Sequence, residues 1–563
     1  MAPPTWTTKE TRLDEKLGSE QLSDTAVHVD HVAGPSEIAG HVSYGHSGIR
    51  GIIQSPYVFG AALLISFGGF SWGYDQGVIS IINVMPQFHH RFPETDPSTK
   101  GSGFYTGFMT GMLELGAFLG CFFMPKLADT ISRKWALTVV TVIFNIGAII
   151  QTAAPNYGTL VAGRTICGIG VGTLAMGAPL YISEIAPPNL RGALLVLESV
   201  SVVLGIVVAY WITFGTRHIA GEASFRVPFG LQMICATVLG TCVHFLPYSP
   251  RWLSLVGRTD DALHSLARLR RLPATDEQVQ VEWRGIMAEV EFQKLVLEKN
   301  YPGKQGFTLE ALTWLELFSK KNWRRTVVAC GVAFFQQFSG INAFIYYAPI
   351  LFASLGQSNE MSLIISGILN VWQLVAIILC FFIIDHVGRR PLAIFGGFGS
   401  MMPYIVMSIL VAKFSSNWTA HPAAAWTCVA MVFVYILTYG STYAPLGWAL
   451  PAEAYTTATR SKGVALATAF LWLCNFVVGV SVPPMVQSAG YGTYVFFAVM
   501  CFLAGLWAYF FVPETKNRSL EELAVVFKDN SVAEEEALLA QALENARRST
   551  VHVVEGEGEQ SRV

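Results

Sequence analysis

Four ionisable residues stand inside long apolar runs of this 563-residue chain: Asp75, Glu114, Arg164 and Glu198. A charge at the centre of a membrane helix costs about 2.5–3.5 kcal/mol on insertion scales, so such residues are functional candidates by default. Asp75 and Arg164 both lie toward the outer ends of their runs, which predicts that they pair. Pairing favours a charged carboxylate and burial favours a neutral one, so a carboxylate that alternates between the two carries a proton; a permanent ion pair is the alternative. Glu114 and Glu198 lie nearer the inner ends, where we expect packing bridges rather than coupling.

A second polar set consists of amides and indoles in later apolar runs. Its members are Gln336, Gln337, Asn342, Asn370, Asn475, Trp448 and Trp472. An amide offers a donor and an acceptor together, which suits vicinal hydroxyls, and an aromatic face suits the C–H face of a sugar ring. We expect Gly340 to break its helix and turn neighbouring amides inward. Buried amides that join helices are the alternative interpretation.

The composition indicates that these residues belong to a polytopic membrane protein. Charged residues make up 13% of the chain and hydrophobic residues 52%, whereas soluble domains carry about 25% charged residues. The net charge of −2 leaves no basic excess for binding nucleic acid. The nine cysteines form no CxxC pair, and no phosphate loop, catalytic triad or metal constellation is visible. We therefore expect no metal, no cofactor and no enzymatic activity.

Twelve apolar runs are long enough for helices that cross a bilayer core, which takes about 20 residues. Their approximate limits are 57–80, 104–124, 136–154, 158–182, 193–215, 227–247, 325–354, 362–384, 391–412, 425–450, 464–485 and 491–512. The predicted fold class is an all-α membrane protein with twelve transmembrane helices in two six-helix bundles. The Lys and Arg bias of the short loops places both termini in the cytoplasm. The sequon at Asn417 then falls in an outer loop and is a glycosylation candidate.

The same pattern predicts five regions along the chain. They are a disordered cytoplasmic tail (1–51), a first six-helix bundle (52–247), a cytoplasmic linker (248–323), a second six-helix bundle (324–512) and a cytoplasmic C-terminal tail (513–563). Within the linker we expect one amphipathic helix capped near Thr259 and a second over about 276–299. These helices either join the two halves or regulate them.

Charged residues recur at matching points of the two halves. They are Asp129, Arg133, Glu184 and Arg191 in the first half, and Asp385, Arg389, Arg390, Glu453 and Arg460 in the second. The repetition indicates two related bundles, an arrangement that places substrate at their interface near the midplane. A carboxylate near a guanidinium is able to bridge helix ends, so we interpret this set as an inner gate that latches one conformation. Signals for membrane orientation are the alternative.

Taken in order, several segments resemble the sugar porter family of the major facilitator superfamily, from about Gly60 to Leu523. The matching segments are 73–80 (GYDQGVIS), 163–164 (GR), 181–187 (YISEIAP), 190–192 (LRG), 336–342 (QQFSGIN), 385–390 (DHVGRR) and 513–516 (PETK). The resemblance implies two bundles that work by alternating access. It implies that Asp75 and Arg164 take the places of a proton-coupling pair. It also implies that Gln336, Gln337, Asn342, Asn370, Trp448 and Asn475 take the places of sugar contacts, and Trp472 that of an aromatic closing the site from the inner side.

The chain departs from the family pattern at a few positions. Ser199 stands where many members have a sugar-binding Gln, Tyr248 replaces the Glu of Pro-Glu-Ser-Pro-Arg, and Pro125 and Ser132 replace glycines. We expect a monomeric, proton-coupled sugar importer of the plasma membrane, whose partners are a mono- or small oligosaccharide, the proton and the lipid bilayer. A facilitator without proton coupling and a non-transporting sugar sensor are the alternatives.

Overall fold

The computed structural model describes residues 48–456, 458–516, 527, 535 and 537–545, without the side chains of 48–50 and 381–386. The predicted N-terminal tail therefore lies outside the described residues, except for 48–51 at the start of the helix Gly48–Gln54. Most of the predicted C-terminal tail lies outside them as well. The division of the chain into five regions stays a prediction.

Twelve helices in the described part are long and apolar enough to cross a membrane. Spans 1 to 6 are Pro56–Ile82, Ser102–Ile131, Arg133–Ala153, Tyr157–Ile185, Arg191–Thr216 and Ala223–Phe245. Spans 7 to 12 are Trp323–Ser354, Asn359–Cys380, Arg389–Phe414, Pro422–Ala454, Arg460–Ala489 and Tyr491–Phe511. The prediction of an all-α, twelve-span fold in two bundles is confirmed. Several helices run past the predicted limits, because they continue for one or two turns beyond the apolar core into charged residues such as Asp129.

Three of the spans consist of two helical segments. Span 1 divides at Ser66, span 7 at Gly340 and span 10 at Thr442. Gly340 has φ +96°, and a Cβ there would lie 2.5 Å from the hydroxyl of Tyr404, so both conformation and space demand glycine. The expected break of span 7 at Gly340 is confirmed, and it separates Gln336 and Gln337 from Asn342.

The linker lies at one end of the spans, which we call the linker face; the opposite end is the far face. The linker forms the helices Pro250–Leu255, Thr259–Arg270, Glu277–Asn300 and Gly306–Glu316. The two expected helices are present; the first begins at Thr259 without a side-chain cap. Arg270 pairs with Glu282 at 2.5 Å and donates to the carbonyl of Ile185 at 2.8 Å, which fixes the linker to the end of span 4.

Candidate functional site

A cavity of about 1450 Å³ lies between the two halves and extends from the middle of the spans to the linker helices. Its walls come from both halves, with Gln76 and Glu198 on one side and Gln337 and Trp448 on the other. Because the wall combines amide, carboxyl and aromatic side chains with apolar surface, the cavity suits a small hydroxylated ligand.

Six of the seven predicted sugar-contact residues line this cavity. They are Gln336, Gln337, Asn342, Trp448, Trp472 and Asn475. Asn342 Nδ2 donates to Gln337 Oε1 across the break in span 7. Gln336 donates to the carbonyls of Tyr443 and Ala444, both at 3.2 Å, just beyond the break in span 10. The interrupted helices thus bring amide side chains to one wall of the cavity.

Asn370, the seventh of these residues, is buried but does not line the cavity. Gln373, one turn further along span 8, lines it instead. Residue type alone identified a polar position in this span, but it did not identify which turn of the helix faces the cavity.

Trp72 is a cavity residue that the sequence analysis missed. Its ring lies 5.9 Å from that of Trp448 and 5.2 Å from that of Trp472, both in edge-to-face geometry. The three indoles come from spans 1, 10 and 11 and join the two halves at the cavity wall. The available signal was the spacing of four between Trp72 and Gln76, because residues four apart share one face of a helix.

The structure brings Asp75 and Arg164 together, away from the cavity wall. Arg164 Nη1 lies 3.7 Å from Asp75 Oδ1, and the two side chains are 1% and 0% exposed. Arg164 Nε donates to the carbonyl of Met109 at 2.9 Å, so the guanidinium is also held by span 2. Among the described residues neither oxygen of Asp75 accepts a hydrogen bond of normal length, and the side chain of Gln151 lies beside the carboxylate.

A buried network that the sequence analysis missed lies around the hydroxyl of Tyr346 in span 7. This hydroxyl donates to Glu114 Oε1 at 2.5 Å and accepts from Gln76 Nε2 at 2.9 Å and Asn475 Nδ2 at 3.0 Å. We expected Glu114 nearer the inner end of its span. Span 2 continues to Ile131, however, so Glu114 lies several turns from the linker face. No single-sequence signal pairs these residues, since they come from four different spans.

The predicted gate residues form two clusters at the linker face, one in each half. In the first half Arg133 lies 2.8 Å from both Asp129 and Glu184. In the second half Arg389 lies 2.9 Å from Glu453. The ion pairs of these clusters therefore connect spans within one half, and in this conformation they do not join the halves to each other.

Three other predicted gate residues have different surroundings. Arg390 donates to the carbonyl of Tyr509 at 2.8 Å. Arg191 and Arg460 line the cavity, and neither has a carboxylate of the described residues within ion-pair distance. The side chain of Asp385 lies outside the described part of the chain.

An ion pair at the far face connects the two halves. Arg217 Nη2 at the end of span 5 lies 2.6 and 2.8 Å from the two carboxylate oxygens of Glu360 at the start of span 8. The halves are thus joined at the far face, while the cavity extends to the linker face. Asn417, the glycosylation candidate, is exposed in the far-face loop between spans 9 and 10, and its Oδ1 accepts from Thr419 at 2.7 Å.

Two bundles of spans around one central cavity, with polar side chains from both halves on its wall, define a membrane transporter of the major facilitator type. The chain matches the family described as Sugar (and other) transporter over residues 61–527 and belongs to that family. The resemblance found in the sequence is confirmed. The protein is therefore a multi-pass sugar transporter of the major facilitator class.

Known proteins with related sequences include yeast sugar transporters. The chain is 32% identical over 477 residues to Sugar transporter STL1 of Saccharomyces cerevisiae, covering 82% of this chain and 80% of that one. It is 30% identical over 494 residues to a high-affinity glucose transporter of Kluyveromyces lactis, covering 85% and 86%. The partially occluded inward-open structure of the xylose transporter XylE from E. coli shares the fold, with a TM-score of 0.68 at 23% identity over 83% of this chain and 100% of that one.

Proposed function

We propose that the protein imports a mono- or small oligosaccharide across the plasma membrane by alternating access and couples uptake to one proton carried by Asp75. In this proposal the linker face is cytoplasmic, as the Lys and Arg bias of the short loops favours, and the protein acts as a monomer. Related yeast transporters that carry glucose and galactose support a sugar as the substrate.

The long ion pair between Arg164 and Asp75 is the observation that supports proton coupling. At 3.7 Å the pair is longer than a charge-assisted hydrogen bond, which measures about 2.7–2.9 Å. Arg164 keeps a second partner in the carbonyl of Met109, so its guanidinium stays in place when the carboxylate is neutralised. A buried carboxylate held in this way is suited to gaining and losing a proton as its surroundings change.

The transport cycle follows from these contacts. Asp75 takes up a proton when the cavity faces outward, loosens its interaction with Arg164 and permits sugar binding and closure. The cavity extends to the linker face, so in this proposal the structure represents the state that faces the cytoplasm. In that state the proton leaves and Arg164 pairs again with the carboxylate. One proton that moves through a membrane potential of 100 mV supplies about 2.3 kcal/mol, enough for more than tenfold accumulation of sugar.

The substrate site in this proposal is the amide and indole wall around Gln337, Asn342 and Asn475. The side chain of Ser199 in span 5 is short and extends less far into the cavity than an amide would. Its hydroxyl donates to the backbone carbonyl of Leu195 at 3.4 Å. The neighbouring Glu198 lines the cavity, and its Oε1 has no hydrogen-bond partner among the described residues. Span 5 therefore presents a carboxyl group at Glu198 and only a short hydroxyl at Ser199, the position where many relatives have an amide.

Uptake by the purified protein in liposomes tests the proposal. Radiolabelled D-glucose, D-xylose and maltose are each supplied with and without a pH gradient that drives protons into the liposomes. Asp75→Asn is expected to abolish accumulation while retaining exchange at equal sugar concentrations, and Asp96→Asn, in an exposed far-face loop, serves as the matched control. Gradient-driven accumulation by Asp75→Asn contradicts the role of Asp75. Uptake that no pH gradient alters indicates a facilitator, and binding without uptake indicates a sensor.

A further inference from the structure

The Tyr346 hydroxyl has its full complement of hydrogen bonds. A phenol has one proton and two lone pairs. The proton is donated to Glu114 Oε1, and the lone pairs accept from the amide nitrogens of Gln76 and Asn475. Tyr346 is buried, so water does not compete for these positions. Any change in the Glu114 hydrogen bond therefore acts on the two amides.

Both amides belong to the cavity wall. Gln76 and Asn475 line the cavity from opposite halves, and each donates one amide N–H to the hydroxyl of Tyr346. The carbonyl oxygen of Asn475 has no hydrogen-bond partner among the described residues. The amide donors held by Tyr346 are thus donors withheld from a hydroxylated ligand in the cavity.

Glu114 is also close to the proposed proton-carrying pair. The charges of Asp75 in span 1 and Arg164 in span 4 both act on its carboxyl group, and Tyr346 and Tyr347 face it from span 7. Asn475, which faces the same group of side chains from span 11, is uncharged. Oε2 of Glu114 has no hydrogen-bond partner among the described residues, so it is free to receive a proton while Oε1 keeps the bond to Tyr346.

We infer that Glu114 is a second proton-titrating group, and that the Tyr346 hydroxyl transmits its protonation state to the sugar-binding amides Gln76 and Asn475. This inference rests on the proposed proton-coupled function and extends it. A charged Glu114 polarises the Tyr346 O–H bond, which makes the phenol oxygen a stronger acceptor and holds both amides. A neutral Glu114 weakens that hold, and the amide donors become available to hydroxyl groups of the sugar.

Glu114 and Tyr346 act here as positioning residues, because the sugar is contacted by the amides. The expected signature is that sugar affinity rises as the pH falls, and that this rise depends on both residues. A purely structural role of Glu114 would change stability or maximal binding without removing the pH dependence.

Equilibrium binding of radiolabelled D-glucose and D-xylose to the purified full-length protein, measured across a range of pH, tests the inference. Glu114→Gln is expected to bind at neutral pH about three- to tenfold more tightly than the unchanged protein, and with a flattened pH profile. Asp96→Asn, the exposed far-face control of the uptake assay, is expected to keep the pH slope. Asp75→Asn is measured alongside to separate the contribution of the proposed proton carrier.

A second variant and a second readout keep the test decisive if Glu114→Gln folds poorly. Tyr346→Phe leaves Glu114 in place but removes the hydroxyl, and the pH dependence of binding is expected to flatten again. Infrared difference spectroscopy on a pH jump is expected to show a protonated-carboxyl band that Glu114→Gln removes and Tyr346→Phe shifts. An unchanged pH profile in both variants, or a band that neither variant affects, overturns the inference while leaving the Asp75 proposal intact.

Discussion

Spans 3 and 9 begin with an arginine that pairs with a glutamate of the next span in its own half. Arg133 and Glu184 are 5% and 3% exposed, whereas Arg389 and Glu453 are 14% and 29% exposed. The two pairs have nearly the same length, 2.8 and 2.9 Å. The sequence repeat is therefore also a repeat of geometry, but the first-half pair is buried and the second-half pair reaches solvent.

A hydroxyl group completes each pair in the same way. Ser249, after span 6, donates to Glu184 Oε2 at 2.5 Å, and Thr515, after span 12, donates to Glu453 Oε2 at 2.5 Å. The segments Pro-Tyr-Ser and Pro-Glu-Thr thus hold corresponding positions in the two halves. The replacement of Glu by Tyr248 leaves this hydrogen bond in place.

The halves differ in how the helix that starts with the arginine is capped. In the second half the carboxylate of Glu514 accepts the backbone N–H groups of Arg389 at 3.0 Å and Arg390 at 3.3 Å. It lies so close to Gly388 that a Cβ there would be 2.7 Å from its Oε2. A carboxylate at a helix N-terminus is favourable because it meets free N–H groups and the positive end of the helix dipole.

In the first half the cap is local. Ser132 has φ +87°, similar to the φ of +98° at Gly388, and its own Oγ accepts the N–H of Trp135 at 3.4 Å. Tyr248 stands where Glu514 stands in the other half, and Lys134 Nζ lies 4.3 Å from the centre of its ring. The two departures from the family pattern therefore belong together: a side chain at position 132 takes over the cap, and no carboxylate has to approach it.

The largest difference between the halves is expected from removing the arginines. Arg133→Ala leaves Glu184 buried without a counter-charge, which destabilises by about 3–5 kcal/mol. Arg389→Ala is expected to cost about 1 kcal/mol, because Glu453 is partly solvated. Thermal unfolding of the purified proteins compares the two, with Arg191→Ala as a control that breaks no described ion pair. Equal losses in both variants would contradict the importance of burial.

The same variants test the gate hypothesis. Both arginines lie at the linker face, away from the amide wall of the cavity, so we expect sugar exchange to slow while equilibrium binding persists. A large loss of binding at a normal exchange rate would contradict that hypothesis. The ion pairs connect spans within each half, so the expected defect is a distorted helix end rather than a lost contact between the halves.

An intermediate effect is expected from introducing a side chain at Gly388. Gly388→Ala forces a Cβ into a backbone region that favours glycine and toward Glu514, at a cost of about 1–3 kcal/mol. The double variant Gly388→Ala/Glu514→Tyr places a Cβ at position 388 and removes the carboxylate that faces it, as positions 132 and 248 do in the first half, and is expected to lose less stability than the sum of its single changes. Melting temperatures of the three variants measure this coupling. Simple additivity would show that the two departures in the first half are independent.

Much of the fold was predictable because the membrane imposes a simple rule on composition. Runs of about 20 apolar residues mark the spans, and the charged repeat marks the two halves. The break at Gly340 was also predictable, since a glycine between two amide-bearing segments stood out in an otherwise apolar helix. Helix ends were less well placed, because helices continue into charged turns such as the one that holds Asp129.

The residue types of the site were predictable, but most of its contacts were not. Asp75 and Arg164 were paired from their matching depths in two spans. The Tyr346 network was missed, because a tyrosine in an apolar run is indistinguishable from a packing residue until its neighbours from other spans are known. The isolation of Arg191 and Arg460 was missed for the same reason: equal spacing from Glu184 and Glu453 in the sequence did not translate into pairing.

The smallest effect is expected from the Glu514 cap itself, and it depends on pH. Burial alone would raise the pKa of the Glu514 carboxyl, but hydrogen bonds from the backbone N–H groups of Lys516, Arg389 and Arg390 outweigh burial and hold it below the ordinary value. Because the pKa is lower in the folded protein than in the unfolded chain, this stabilisation is complete above the unfolded value of about 4.3 and is lost as the pH falls through the folded value.

Glu514→Gln is therefore expected to cost about 0.3–1 kcal/mol at neutral pH. Its melting temperature should approach that of the unchanged protein as the pH falls below 4, because protonation then removes the same charge from both. Glu298→Gln, at an exposed site in the linker helix Glu277–Asn300, controls for the general effect of losing one carboxylate. Among the described residues no carboxylate caps span 3 in the first half, so Tyr248→Gln should show no such convergence at acid pH. A gap between Glu514→Gln and the unchanged protein that stays constant into acid would mean that Glu514 acts through its size and not through its charge.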